Sequence, residues 1–331
     1  MPAPNLDVVG IGNAIVDVQC RTDDALLAAQ GLVKGTMALI DAPRAESLYA
    51  LMSQSSESSG GSAANTIAGI ASLGGQAGFI GKVADDGLGK LFASDLRGMG
   101  VAYDTPPLKG GPRTGRCLIL VTQDAQRTMN TFLGASVEFE ASDIDRARIE
   151  AAQVTYLEGY LFDRPTAKAA FRGAAEIAHK AGRKLALSLS DPFCVERHRG
   201  DFRDLVHHHI DVLFANEIEI CSLYETKDFD SAAKAVRGEC EIAVLTRSAQ
   251  GSVVVTKTEM LVVPAAPVSK VVDTTGAGDL YASGFLYGLT RGRELAACGR
   301  LGSLCAAEII SHFGARPDTS LKELAAKAGL L

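Results

Sequence analysis

The sequence predicts an α/β fold: a central, mostly parallel sheet with helices on both faces, plus a small β-sheet that forms a lid. Two observations carry this prediction. Between residues 154 and 246, short apolar runs typical of buried strands alternate with longer helical patterns, and such alternation is typical of parallel sheets covered on both faces. Closer to the amino terminus, β-like runs within 14–41 and 102–133 break the alternation, and we expect them to form the lid.

The elements can be assigned in order along the chain from hydrophobic periodicity. The first half is predicted to contain strand 7–20, helix 23–30, helix 43–52, helix 62–73, strand 77–83, helix 86–98 and the strands 114–122 and 127–133. The second half is predicted to contain strand 154–158, helix 165–181, strands 184–189 and 211–215, helices 216–223 and 229–237, strand 241–246, a hairpin with arms near 252–256 and 260–263, and helices near 276–290 and 293–311. The serine-rich stretch 53–62 ends in two glycines and is predicted to be a loop that lines a site.

These elements divide into two predicted domains. The main α/β domain comprises residues 1–13, 42–101 and 134–331, and the lid comprises residues 14–41 and 102–133. With 331 residues, the chain is long enough for one large core and a smaller attachment.

Composition and charge limit the possible partners. The chain is 47% hydrophobic and 22% charged, as is usual for globular proteins. Its formal net charge of −6 argues against nucleic acid as the main ligand, and no apolar run approaches the ~18 residues that span a bilayer. The seven cysteines are scattered without a C-x-x-C pair, and the amino terminus lacks a signal-peptide pattern. We therefore expect a cytoplasmic protein that binds no membrane.

A glycine-rich stretch at 271–288, VVDTTGAGDLYASGFLYG, predicts the chemistry. Gly276, Ala277 and Gly278 leave the main chain accessible, and a helix that begins there offers free N–H groups and a positive dipole end to an anion. Asp279 follows at once, and a carboxylate at this position can accept a proton from a group that attacks the anion. The stretch therefore predicts a phosphoryl-transfer site, with a low pKa for Asp279 because of the helix dipole. The alternative for Asp279 is a helix-capping carboxylate.

Two other glycine motifs are excluded by their spacing. GIGNAI at 10–15 lacks the third glycine of a dinucleotide-binding fingerprint. The Gly-Lys pairs at 81–82 and 89–90 lack the following Ser or Thr of a P-loop.

Four stretches, in order and together, resemble a known family. They are GNAIVD at 12–17, the glycine-rich region GGSAANTIAGIASLGGQAGFIGKVADDGLG from residue 60, NEIE at 216–219 and DTTGAGD at 273–279. In these motifs the chain resembles the ribokinase-like family, also called the PfkB carbohydrate kinase family, and most closely its adenosine kinase branch. The resemblance implies a ribokinase-like fold and the transfer of a phosphoryl group from ATP, with Mg²⁺ and in some members K⁺.

The resemblance also implies roles for residues of the phosphate half of the site. Asp279 would be the catalytic base, and the N–H groups of Thr275, Gly276, Ala277 and Gly278 would form the anion hole. Phosphoryl transfer depends chiefly on such positioning and charge neutralisation.

The nucleotide and metal contacts follow from the same resemblance. The implied nucleotide-binding residues are Asn216, Thr246, Ser248, Gly251 and Gly278. Asn216 and Glu219 would hold Mg²⁺ through water, and Asp273 would help to coordinate a monovalent cation. Ser248 replaces the glycine that the family usually has in its T-x-G turn.

The acceptor site is expected in the amino-terminal half. The implied ligands are Asn13, Asp17, Gly60, Gly61 and Asn65. Asp and Asn side chains together suit a vicinal diol, and GNAIVD is similar to the adenosine kinase form of this motif. A nucleoside, adenosine above all, is therefore the favoured acceptor. Phe132 and Phe162 are candidates for stacking on its base, with core packing as the alternative for each.

Three alternatives remain open at this point. The first is a PfkB-type kinase for a simple sugar such as fructose or ribose; a phosphosugar would require a basic residue that the sequence does not place. The second is a kinase for a vitamin-like alcohol, and the third is a non-catalytic binding protein. The expected assembly is a monomer or a homodimer formed through the lids.

Overall fold

The computed structural model describes residues 5–124 and 126–331. Their strands are, in chain order, β1 (Leu6–Ile11), β2 (Ile15–Arg21), β3 (Met37–Leu39), β4 (Ser56–Gly60), β5 (Ala77–Ile80), β6 (Thr114–Val121), β7 (Arg127–Gly134), β8 (Ala152–Glu158), β9 (Lys184–Ser188), β10 (Val212–Asn216), β11 (Ile242–Thr246), β12 (Ser252–Thr256) and β13 (Met260–Val263). The first four residues of the predicted main domain, and residue 125 of the predicted lid, lie outside the described part.

Helices connect most of these strands. They are α1 (Asp24–Ala29), α2 (Ala42–Tyr49), α3 (Ser62–Ser72), α4 (Gly87–Gly98), α5 (Arg146–Ala151), α6 (Pro165–Lys180), α7 (Pro192–His208), α8 (Glu217–Leu223), α9 (Phe229–Ala235), α10 (Ala277–Thr290), α11 (Leu295–Ile309) and α12 (Leu321–Lys327). Within the described ranges, no helix is long and apolar enough to cross a membrane.

The larger sheet has eight strands in the order β13-β12-β11-β10-β9-β8-β1-β5. The six strands from β11 to β5 are parallel to their neighbours, and β12 and β13 extend the sheet as an antiparallel hairpin. Helices cover both faces, because neighbouring residues of one strand enter different cores. Val8 shares a core with Phe285 of α10, whereas Val9 shares one with Phe171 of α6. The predicted α/β fold class is confirmed.

A second sheet of five strands, which we call the lid sheet, has the order β3-β7-β6-β2-β4. The strand-like run predicted over 7–20 is divided between the two sheets, since β1 ends at Ile11 and β2 begins at Ile15. The prediction of a loop over 53–62 is wrong in part: Ser56–Gly60 is strand β4, which pairs antiparallel with β2. Its sequence, SESSG, shows no apolar alternation because β4 is an edge strand with three residues not fully buried.

Helices α3 and α10 pack unusually closely, and this contact positions the site. A Cβ atom on Gly69 of α3 would lie 2.4 Å from the hydroxyl oxygen of Ser283 on α10, so only glycine fits there. Asn65, one turn before Gly69, is thereby brought to the first turn of α10, which carries Asp279.

Candidate active site

A cleft of about 620 Å³ lies between the lid sheet and the carboxyl ends of the main strands. Five neighbouring main strands each place a residue in it at or just after their ends: Asn13, Glu158, Ser188, Asn216 and Thr246. Carboxyl ends of parallel strands are the usual location of ligand sites in open α/β sheets. The amino-terminal end of α10, from Gly276 to Asp279, borders the same cleft.

Asp279 is held by two side chains of α3. Its Oδ1 accepts a hydrogen bond from the Ser62 hydroxyl at 2.6 Å, and its Oδ2 accepts one from Asn65 Nδ2 at 3.0 Å. Burial in the cleft raises the pKa of Asp279, and these hydrogen bonds together with the charge of Arg316 offset only part of that rise. The expected low pKa is therefore wrong in direction. A carboxylate with a raised pKa is a stronger base.

The anion-binding loop precedes α10, and its free donors differ in part from the predicted set. Gly276 is the N-cap, with φ +77° and no capping side chain. The N–H of Thr275 donates to Asp273 Oδ1 at 3.0 Å, and that of Ala277 donates to the Thr274 carbonyl at 3.2 Å. Among residues 5–124 and 126–331, the N–H groups of Gly276 and Gly278 have no acceptor. These two groups face a ligand-sized cleft at a helix amino terminus, which is the arrangement that binds phosphate.

Two asparagines that line the cleft have their side-chain amide groups held in place. Asn13 Nδ2 donates to Glu158 Oε1 at 2.7 Å, and Asn65 Nδ2 donates to Asp279. With both amide nitrogens engaged, the orientation of each side chain is fixed. The Oδ1 atoms of Asn13 and Asn65 are buried and have no hydrogen-bond donor within the described residues. Unpaired buried acceptors are uncommon, and both residues line the cleft.

Asp17 adds a carboxylate to the cleft, and two glycines leave room for Asp17 and for the Asn13 main chain. A Cβ atom on Gly60 would lie 2.4 Å from Asp17 Oδ1, and one on Gly61, whose φ is +96°, would lie 2.3 Å from the Asn13 carbonyl oxygen. Gly61 lines the cleft, whereas Gly60 does not. Gly60 affects the site only by leaving space for the Asp17 side chain. Burial raises the pKa of Asp17 to about 6, although Arg316 and Arg127 lower it.

Glu158 and Arg316 are site residues that the sequence analysis missed. Glu158 is 1% exposed and accepts hydrogen bonds from Asn13 and from the N–H of Ala63 at 2.8 Å. Burial raises the pKa of Glu158 to about 7. The sequence feature that could have identified Glu158 is its position as a carboxylate at the end of a predicted buried strand. Arg316 donates to the carbonyl oxygens of Ala64 (2.7 Å) and Ser59 (2.8 Å), and no motif marks it.

Asn216 and Glu219, which are predicted to lie near the nucleotide, line the cleft and also cap α8. Asn216 Oδ1 accepts from the N–H of Glu219, and the Glu219 carboxylate accepts from the N–H and Nδ2 of Asn216. Burial, together with the nearby charges of Asp191 and Asp279, raises the pKa of Glu219 to about 7. This excess of negative charge fits a divalent cation. Within the described ranges no group of His, Cys, Asp or Glu side chains could hold a metal alone, so Mg²⁺ would be held through water and phosphate oxygens, as is common.

Of the other predicted nucleotide residues, Thr246 is the last residue of β11, and Ser248 and Gly251 lie in the turn that follows. Thr246 lines the cleft, whereas Ser248 and Gly251 do not. Ser248 adopts φ +49°, a left-handed conformation that glycine adopts more easily. Ser248 therefore keeps the backbone conformation expected of the glycine that it replaces. Gly251 has φ +83°, and a Cβ there would lie 2.1 Å from the Val263 carbonyl oxygen.

The predicted stacking residues are not in the cleft. Phe162 is fully buried and stacks on Phe202 in the main core, with ring centroids 4.7 Å apart. Phe132 does not line the cleft, because alternate residues of β7 point to opposite faces and Met129 and Leu133 take the cleft side. Four aromatic residues do line the cleft: Phe193 is 68% exposed, whereas Phe214 and Tyr281 are buried and Tyr160 is half-buried.

Comparison with known proteins identifies the family. Residues 25–322 match the model of the pfkB family of carbohydrate kinases, which is most of the chain. The chain belongs to the PfkB family. It is therefore a phosphotransferase with an alcohol group as acceptor, and membership in the PfkB family implies the use of ATP, generally with Mg²⁺.

Individual PfkB-type relatives carry both nucleoside and sugar kinase names. The chain is 27% identical to adenosine kinase from Saccharomyces cerevisiae, over 95% of this chain and 96% of the relative. It is 28% identical to 5-dehydro-2-deoxygluconokinase from Halalkalibacterium halodurans, over 81% and 84%. Among solved structures, adenosine kinase from Sinorhizobium meliloti is 51% identical with a TM-score of 0.91, over 98% and 99% of the two chains. A probable sugar kinase protein from Rhizobium etli is 49% identical with a TM-score of 0.93, over 99% and 100%.

Proposed function

We propose that this PfkB-type kinase transfers the γ-phosphate of ATP to the hydroxymethyl group of a nucleoside, with adenosine as the acceptor. The observation that carries the proposal is a set of unpaired acceptors beside an apolar wall. Asn13 and Asn65 line the cleft and have buried Oδ1 atoms without a donor among the described residues, and Asp17 adds a carboxylate. Ribose hydroxyls are donors of the kind that these atoms lack.

The apolar wall is the cleft face of the lid sheet. It includes Ile15, Ile119, Met129 and Leu133, and Phe193 lines the same cleft from the main domain. A free sugar has hydroxyls on every side and gains little from such a wall. A nucleoside presents a polar ribose and a flat base, which match the two surfaces. The 51% identity to a structure named adenosine kinase also supports this choice.

The residues of the chain suggest the course of the transfer. Asp279 accepts the proton of the attacking hydroxyl, and the Ser62 hydroxyl and Asn65 amide keep its carboxylate aimed into the cleft. The N–H groups of Gly276 and Gly278 stabilise charge on the transferred phosphoryl oxygens. Asn216 and Glu219 would hold Mg²⁺ through water, and that ion neutralises charge on the ATP phosphates when it is bound.

The second candidate is a PfkB-type kinase for a simple sugar such as fructose or ribose. The Oδ1 atoms of Asn13 and Asn65 would also accept hydrogen bonds from the hydroxyls of a free sugar. Arg197 of α7 also lines the cleft, and it is the kind of residue that a phosphosugar would require.

The deciding experiment measures ADP release from Mg·ATP with a panel of acceptors. The panel contains adenosine, guanosine, inosine, cytidine, ribose, fructose and fructose 6-phosphate, each over a range of concentrations. We expect adenosine to give the highest kcat/KM. Turnover with a free sugar but with no nucleoside would replace the proposal by the second candidate, and turnover with fructose 6-phosphate would point to Arg197.

The acceptor step should depend on pH through Asp17. With a pKa of about 6, the Asp17 carboxylate is charged at pH 7.5 and becomes protonated as the pH falls through 6, and it then accepts hydroxyl hydrogen bonds less well. We expect kcat/KM for adenosine to fall by about tenfold per pH unit below this pKa. Because Arg316 lowers the pKa of Asp17, Arg316→Met should move the fall to higher pH. A wild-type profile that stays flat from pH 7 to pH 5 would contradict the role of Asp17.

Phe193→Ala should affect nucleosides selectively. The exposed ring lines the cleft, and loss of its stacking on a base should lower kcat/KM for adenosine by about tenfold, while any slow turnover of ribose stays unchanged. The control is Val262→Ala, since Val262 is 75% exposed on the edge strand β13, away from the cleft. Equal losses for adenosine and ribose would show that Phe193 does not contact the base.

A further inference from the structure

Asp273 is the residue to which the family resemblance assigns a monovalent cation, and its carboxylate is fully used by this chain. Its Oδ1 accepts hydrogen bonds from the N–H (3.0 Å) and the hydroxyl (2.8 Å) of Thr275. Its Oδ2 accepts from the N–H of Gly314 at 3.1 Å and from the guanidinium of Arg127. A carboxylate has about four lone-pair sites. A metal ion would therefore find no free carboxylate oxygen here.

The positive charge beside Asp273 comes from the lid sheet. Arg127 is the first residue of β7, and the side chains of Arg127 and Asp273 are only 7% and 6% exposed. The same guanidinium donates to the Thr275 hydroxyl at 3.0 Å and to the Gln19 side chain of β2 at 2.7 Å. A second cation at this carboxylate would lie within about 5 Å of the guanidinium, where like charges repel strongly in a desolvated site. The residues present do not fit K⁺.

We infer that Arg127 supplies, from within the chain, the charge that a monovalent cation would otherwise supply beside the anion hole, so that phosphoryl transfer needs no K⁺. Arg127 is then a positioning residue. It holds Thr275, which directly precedes the free N–H of Gly276, and it ties the anion-binding loop to the lid sheet. The inference rests on the proposed phosphate site and does not depend on which acceptor is used.

The first test uses the wild-type enzyme. Initial rates with Mg·ATP are measured in potassium, sodium or tetramethylammonium chloride at equal ionic strength, and ADP is quantified directly so that no coupling enzyme adds its own cation requirement. The acceptor is the panel member with the highest turnover, so that failure of the adenosine proposal leaves this test intact. We expect kcat to agree within about twofold among the three salts. A kcat about tenfold higher in potassium than in tetramethylammonium would overturn the inference.

The second test removes the internal charge. Arg127→Met keeps much of the side-chain volume but leaves the buried Asp273 carboxylate without a counter-charge. We expect kcat in tetramethylammonium to fall by at least about tenfold and to recover in part in potassium, because a cation can then occupy the vacated space. Arg116→Met is the matched control: Arg116 is a buried lid arginine on β6, paired with Glu46 at 2.6 Å, and its loss should create no dependence on potassium.

A third readout needs no turnover. In the absence of substrates, potassium should raise the Tm of Arg127→Met relative to tetramethylammonium and leave that of the wild type and Arg116→Met unchanged, because a ligand stabilises only the form that binds it. A folded Arg127→Met protein with the same activity and the same Tm in all three salts would contradict the replacement of a cation by Arg127. If Arg127→Met does not fold, the salt comparison of the wild type decides by itself.

Discussion

Asp279→Asn should lower kcat by about 10²–10⁴-fold, the range that a general base contributes, with little change in the KM for ATP. The amide keeps the shape of the side chain at the first turn of α10 and can still contact Ser62 and Asn65. It cannot accept a proton from the attacking hydroxyl. Steady-state kinetics with saturating acceptor, together with circular dichroism to confirm folding, provide the measurement.

The control for this variant is Asp95→Asn. Asp95 accepts a hydrogen bond from the N–H of Ser59 at 2.8 Å and lies near Arg316, but it does not line the cleft. The control therefore removes a carboxylate charge from the neighbourhood without touching the proposed base. If Asp279→Asn kept near-wild-type turnover, or if Asp95→Asn lost as much, Asp279 would not be the base.

Asp17→Ala should act on the acceptor. Loss of charged hydrogen bonds to two hydroxyls should lower kcat/KM for adenosine by about 10²–10³-fold, chiefly through a higher KM, while the KM for ATP changes little. The variant should remain at least as stable as the wild type at pH 7.5. The folded-state pKa of Asp17, about 6, is raised above its ordinary value of 3.8, so the charged form present at pH 7.5 disfavours folding.

This opposition between stability and acceptor binding makes the test specific. A general packing defect would lower both the Tm and the kcat/KM, whereas loss of an acceptor ligand lowers only the kcat/KM. An unchanged KM for adenosine would show that Asp17 does not contact the acceptor.

The elements that carry strong local patterns could be predicted from the sequence. Helix α10 with its Gly-Ala-Gly start, and strands such as β10 and β11, are marked by periodicity or by glycine. Edge strand β4 could not be predicted, because a half-exposed strand of serines has the composition of a loop. Helices α7 and α12 were also missed. Helix α7 is polar and kinked at His198, and α12 is only seven residues long.

Residues of the candidate site could be predicted where they stand next to one another in a single sequence motif. Contacts between distant segments could not: Ser62 and Asn65 reach Asp279 across 217 and 214 residues, and Arg127 reaches Asp273 across 146. The direction of the Asp279 pKa shift was wrong for the same reason. A helix dipole is a local property that the sequence shows, whereas burial depends on the packing of α3 against α10 and on the covering lid.

In the proposed function, alternate residues of the lid strands provide part of the surface against which the acceptor packs. Ile119, Met129 and Leu133 face the cleft from the lid sheet, whereas Asp279 and its loop belong to the helix behind the main sheet. Under the proposed function, we expect substitutions at these three positions to change acceptor preference more than the transfer step. Acceptor preference can therefore diverge by point mutation during evolution. Kinases named for a nucleoside and for a deoxygluconate are almost equally similar to this chain, and a combinatorial library confined to these three positions would test how far they set the acceptor.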